Sequence, residues 1–209
     1  MLDHVFLDAI GALRDALEAA LLERQAFEEG FRADILLGDI EWQTSYGLPG
    51  EGLPPRVLAE ITLDWPTWAQ TAYRSWYIGE PFDDPPRIEV EVKFRMQRLA
   101  RRPDPARVLR ELADESPPVG VGTLYRTAPV LEQLLLDQPD EAEADGPYEE
   151  YALEVSYEGS LELDEQTLVD GSAIDGQLSS MGGWIASTLV RLGDLDLRYL
   201  PPLDRPDAG

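Results

Sequence analysis

Asp194 and Asp196, separated from the pair Gly182-Gly183 by ten residues, are the side chains whose type and spacing could most directly do chemistry. Residues i and i+2 of a strand share a face, so two such carboxylates could hold Mg²⁺ against a triphosphate. Cysteine is absent, which removes disulfides, thiolate metal sites and cysteine nucleophiles. His4 is the only histidine, so a Ser-His-Asp triad or a histidine zinc site would have to be built at the N-terminus. The chain has no GxxxxGK(S/T) loop, no HExxH, no GxSxG and no GxGxxG after a strand. With 41 acidic residues some carboxylate pair will always suit glycoside hydrolysis, so such pairs carry no information.

The segment MGGWIASTLVRLGDLDL is similar to the polymerase-β-type nucleotidyltransferase signature: a Gly-Gly or Gly-Ser turn, a short helix, then a strand with two carboxylates. The resemblance implies Asp194 and Asp196 as metal ligands and Gly182 and Gly183 as the phosphate-side turn. It covers 17 of 209 residues. That family has a strand before the glycines, where GSAIDGQLSS reads as helix or loop, and a third carboxylate on a later strand, where this chain turns Pro-rich. Read without the resemblance, the glycines sit where a helix bends or packs closely, and the aspartates line the solvent side of a terminal strand. The expectation is no catalytic residue, no cofactor and no bound metal, with Asp194 and Asp196 as the metal candidates.

Forty-one acids against 17 bases give a formal charge of −24. Phosphate binding needs clustered cations, so direct nucleic-acid or anionic-membrane binding is not expected. Apolar residues make up 44%, enough for a core and too many for a disordered chain. No stretch reaches the roughly 18–20 apolar residues of a membrane span, and the acidic start does not read as a signal peptide. A cytoplasmic location is the expectation.

The elements that would position any site follow from periodicity. Phe6, Ile10, Leu13, Leu17 and Leu21 recur at helical spacing over about residues 4–29, with Asp3 as cap and Gly30 as stop. Alternation predicts strands in DIEWQTSY, in residues 57–65, in RIEVEVKFRMQ and in YALEVSYEGSLEL, where Gly159 reads as a bulge or bend. Pro66 is expected at the first position of a short helix and Asp104-Pro105 at the start of another. Residues 116–137 are ambiguous in pattern, a strand followed by a short helix being one reading. A last helix spans about 172–192, with Ile174, Leu178, Met181, Ile185 and Leu189 inward, before a final strand with Leu195, Leu197 and Tyr199. Alternating strands argue for a mainly antiparallel sheet, hence an α+β fold flanked by N- and C-terminal helices and two shorter ones. One domain is expected over residues 1–200, with a mobile acidic loop at 138–149 and a frayed tail at 201–209.

Charge is unevenly spread along the chain. Between Arg126 and Arg191 there is no base, whereas eight bases crowd residues 87–110. Internal pairing is one reading: Lys93 and Arg95 could oppose Glu154 or Glu158 across neighbouring strands. The functional reading is an acidic half that meets a cationic partner, or two copies joined acidic half to basic half. Trp68, Tyr73, Arg74, Trp76 and Tyr77 crowd one helix and are the residue types of interface hot spots. These observations together lead us to expect a non-catalytic protein–protein interaction module, an adaptor, chaperone, inhibitor or assembly component, with segregated acidic and basic surfaces. Its interface candidates are the helix residues just named with Arg95, Arg98, Glu154, Glu158 and Glu162. The alternatives are a Mg²⁺-dependent nucleotidyltransferase-like enzyme using Asp194 and Asp196, and an acidic DNA mimic that inhibits a DNA-binding protein.

Overall fold

Strict alternation in β4 (Arg87–Leu99) organises the molecule: Ile88, Val90, Val92, Phe94 and Met96 are buried, and the residues between them are only half-buried. A strand with one apolar face must bury that face against another layer. The computed structural model describes residues 4–22, 26–36, 38–48, 54–81, 84–119, 122–136, 148–169 and 172–201. Within them β4 is central to a seven-stranded sheet. The order is β1 (Phe27–Leu36), β2 (Asp39–Gly47), β3 (Val57–Trp65), β4 and β7 (Tyr148–Glu162), with β5 (Tyr125–Arg126) and β6 (Val130–Leu136) both on the far side of β7. Every pairing is antiparallel.

Helices α1 (His4–Leu21) and α5 (Ser172–Gly193) cover the apolar face. Phe6, Leu13 and Leu17 of α1 and Ile174, Leu178, Met181, Ile185 and Leu189 of α5 enter one core cluster with the inward residues of the strands. The two helices approach closely at Gly182, where an added Cβ would lie 2.7 Å from Ala16 Cβ. Gly182 is therefore a packing glycine inside a helix. Among the described residues there are three further, shorter helices: α2 (Thr67–Tyr77), α3 (Pro105–Leu109) and α4 (Glu165–Val169). No helix among the described residues is long and apolar enough to cross a membrane.

The α+β class, the antiparallel sheet and the flanking terminal helices are as expected. Several local expectations are corrected. The first helix ends at Leu21, and residues 27–29 of the expected helix instead open strand β1. A register shift between Glu28 and Gly30 precedes the alternation of Phe31, Ala33 and Ile35, which leaves only a short alternating run next to the expected helix. Residues 130–136 are strand β6 and not a helix, because a full ladder to β7 outweighs the helix propensity of VLEQLLL. The expected final strand is a single bridge, Tyr199 to Leu99, though Leu195, Leu197 and Tyr199 still pack on the core. Three short helices stand where two were expected, and Pro66 is the N-cap of α2, one place before its first helical position. Gly159 marks no bulge; its pairing with Val90 is in register, and a Cβ there would meet Leu124 Cδ2 and the Thr123 carbonyl at 2.9 Å. Of the expected loop, 148 and 149 belong to β7 and 138–147 lie outside the described residues, as do 202–209 of the tail.

Candidate interaction surface

The uncovered face of the sheet divides into two halves along β4. In one half the charges are paired. Arg95 Nη2 donates to Glu132 Oε2 at 2.6 Å and Arg95 Nη1 to Glu154 Oε2 at 3.2 Å, which joins β4 to β6 and β7. Lys93 Nζ lies 3.1 Å from Glu91 Oε2 and 3.8 Å from Glu60 Oε1. Burial works against the Lys93 ammonium, but the Glu91 hydrogen bond and the charges of Glu91, Glu60 and Glu154 outweigh it and hold its pKa above the ordinary value. The predicted pairing of Arg95 with Glu154 is therefore present, while Lys93 faces Ser156 on β7 and takes its acids from β3 and β4.

The other half gathers acids. By Cα register Asp34, Glu41, Asp64 and Glu89 are successive partners across β1 to β4, and Glu91 lies directly opposite Glu158 of β7. Among the described residues none of Glu41, Asp64 and Glu158 has a cationic partner within ion-pair distance. A depression of about 480 Å³ opens here, lined by Asp64, Glu89, Val90, Glu91, Glu158 and Gly159. Burial first, then the charges of Glu41, Asp39, Glu89 and Glu91, push the Asp64 carboxyl above its ordinary value. Directly opposed like charges are unfavourable, so the fold holds this face against a local cost.

The aromatic helix α2 stands at the same end of the sheet. Pro66 supplies no capping side chain, and Asp39 from β2 does so instead. Its carboxylate accepts the Thr67 backbone N–H at 2.6 Å and the Thr67 hydroxyl at 2.8 Å, which hold its pKa below the usual value. Buried Gln70 fixes the next turn by donating to the carbonyls of Gly38 and Trp65. Tyr73 packs edge-on against Trp65 and on the core, and Trp76 stacks on Tyr73. Arg74 is exposed and donates to Gln70 Oε1. Trp68 and Tyr77 face outward, and the Arg87 guanidinium lies 4.9 Å above the Trp68 ring while its Nε is 3.5 Å from Glu89. Arg87 thus links the exposed tryptophan to the acidic half.

The opposite end of the sheet is basic. Arg98 is buried in the left-handed backbone region, with its Nε 3.9 Å from Glu150, which spends it in the fold. Arg101, Arg102 and Arg198 are exposed beyond the end of β4, and Arg107 and Arg110 are exposed on and just after α3, next to the Leu109 carbonyl that accepts from Arg126 of β5. The basic stretch seen in sequence therefore has three fates: Arg87 among the acids, Lys93 and Arg95 consumed by pairing, and the arginines after β4 in solvent. Of the interface candidates, the fold brings Trp68, Glu158 and Glu162 to one end, Glu162 opposite Arg87 in register. It leaves Arg95, Arg98 and Glu154 as cross-strand ties. Glu41, Asp64, Glu89 and Glu91 were missed as site residues; alternation assigns them to the polar face, but only strand register shows that they adjoin.

Gly182 and Gly183 lie inside α5 and not at a turn before it, and Asp194 and Asp196 are exposed after its end, on no strand. The strand–turn–helix–strand frame of the nucleotidyltransferase signature is not formed by these residues. Among the described residues no group of three or more histidines and carboxylates is arranged to hold a metal ion. Comparison with protein-family models, with curated proteins and with solved structures finds no match.

Proposed function

We propose that this chain is a non-catalytic protein–protein interaction module whose docking surface is the acidic half of the open sheet face with Trp68 at its border. The observation that carries the reading is the rung of acids in register across β1 to β4, extended by Glu91 and Glu158. A fold gains nothing from placing like charges opposite one another, whereas a cationic partner surface would relieve that repulsion on docking. The exposed indole beside it supplies the kind of aromatic anchor around which interface energy concentrates.

The test compares the immobilised chain with its Glu41→Gln/Asp64→Asn/Glu89→Gln/Glu158→Gln variant in extracts of the cells that make it. A stoichiometric protein should bind the native chain and leave it as the Debye length falls from about 10 Å at 0.1 M salt to about 3 Å at 1 M. The folded variant should not retain that protein. Equal capture by both chains, or none by either, would overturn the reading.

A further inference from the structure

Strand β6 ends the sheet in a way the opposite edge does not. It pairs on one side with β7, from Val130 opposite Glu154 to Leu136 opposite Tyr148, and among the described residues nothing pairs with its other side. In an antiparallel strand every second residue then directs its N–H and C=O outward, which is a template for another strand. Natural sheets blunt such edges with charges, proline, bulges or a covering element. Strand β1, at the far edge, follows the rule: its ten residues include Glu28, Glu29, Arg32 and Asp34, and its register shifts between Glu28 and Gly30. Strand β6 does not. Its only charge is Glu132, already hydrogen-bonded to Arg95, and its ladder runs without a shift. Val130 (51%), Leu134 (42%) and Leu135 (68%) are exposed, which puts three large apolar side chains on a strand seven residues long.

We infer that β6 is a strand-docking edge that takes an extended segment of a partner protein, apolar in its middle and lysine- or arginine-bearing at its ends. Main-chain bonds to the free edge would give affinity, and contacts with Val130, Leu134 and Leu135 would set the register. Charge selects this occupant over a second copy of the chain. Glu132 and Glu154 both accept from Arg95, exposed Glu149 stands toward the far end of the ladder, and Glu158 lies beyond its start with no cation at ion-pair distance among the described residues. A second copy would bring the same acids and another −24 charges to the seam, whereas a segment with basic ends meets acids at both. The inference rests on the interaction reading above and adds to it the mode of binding and the chemistry of the bound segment.

The probe is a labelled ten-residue peptide, six alternating valines and threonines between two pairs of lysines, titrated into the full chain and followed by fluorescence anisotropy and amide hydrogen exchange. Saturable binding with new protection confined to residues 130–136 is expected. The Leu134→Lys/Leu135→Lys variant, altered only at exposed positions, should bind at least about tenfold more weakly, and so should a peptide N-methylated at alternate residues. Undiminished binding in either case, or protection elsewhere, overturns the proposal. So does concentration-dependent dimerisation that Leu134→Lys/Leu135→Lys abolishes, which would make a second copy the occupant. Substituting Glu41, Asp64 and Glu89 should leave peptide binding within about threefold, because those residues lie away from β6. The two ideas therefore fail separately: no capture by the native chain, or equal capture by the acid-substituted one, with peptide binding intact removes the sheet-face reading, and intact capture without peptide binding at residues 130–136 removes the edge.

Discussion

Neighbouring residues of β4 do opposite work. On the covered face Phe94 meets Tyr157 and Trp184 edge-on at centroid distances of 6.0 and 5.9 Å, and those two rings meet at 5.0 Å. One residue away, Arg95 holds two carboxylates; six residues before that, Glu89 stands opposite Asp64. Burying an aromatic side chain is worth several kcal/mol, whereas a cross-strand charge pair of either sign is worth about 0.2–1 kcal/mol. The covered face therefore fixes the fold with enough surplus for the open face to carry unfavourable charges.

The largest effect is expected on the covered side. Phe94→Ala should cost about 3–5 kcal/mol, read as a fall in the urea midpoint with an unchanged slope. A loss under about 1 kcal/mol would mean that the covered face does not dominate stability. Next comes the paired half. Arg95→Met should cost about 1–2 kcal/mol, because Glu132 and Glu154 lose their shared donor while half-buried. The deficit should shrink when Glu132 is also changed to Gln, a coupling that a double-mutant cycle measures.

The same contrast explains how much was legible beforehand. Period-two alternation assigned Val57, Ala59, Ile61, Leu63 and Trp65 to the core without error, and the 3.6 period did so for Ile174, Leu178, Met181, Ile185 and Leu189. These signals are local and strong because burial of apolar area drives them. The start of strand β1 was lost to a helical pattern extended to residue 29, and β6 to a partner strand that only the folded chain supplies. The acidic rung was illegible for a related reason: Glu41, Asp64 and Glu89 are far apart in sequence, and register decides that they adjoin. The cap of α2 is a further case, since Asp39 stands 28 residues before the N–H it accepts. Sequence spacing finds capping boxes three residues apart and is blind to one built across a sheet.

On the acidic half the sign should reverse. Asp64→Asn should stabilise the protein by about 0.2–1 kcal/mol at low salt, the advantage fading as salt screens the rung. A destabilising outcome would mean that Asp64 makes a favourable contact within the fold, and the repulsion assigned to the rung would be wrong.

The smallest effect, and the most specific, is in the pH dependence of two aspartates at the same end of the sheet. Burial and neighbouring acids raise the Asp64 pKa above its ordinary 3.8, so the native state binds that proton more tightly than the unfolded chain does. Its contribution is fully present below 3.8 and is lost as pH rises through the folded value. Asp39 is the mirror case. The Thr67 backbone N–H and hydroxyl lower its pKa below 3.8, so its contribution is present above that pH and is lost as pH falls through the folded value. Thermal midpoints of Asp64→Asn and Asp39→Asn, each measured against the native chain from neutral pH to well below 3.8, should therefore move in opposite directions. Acidification should erase the advantage of Asp64→Asn and the handicap of Asp39→Asn. Parallel curves would show that the two carboxylates share one environment, and the division between a capping acid and a repelled one would fall.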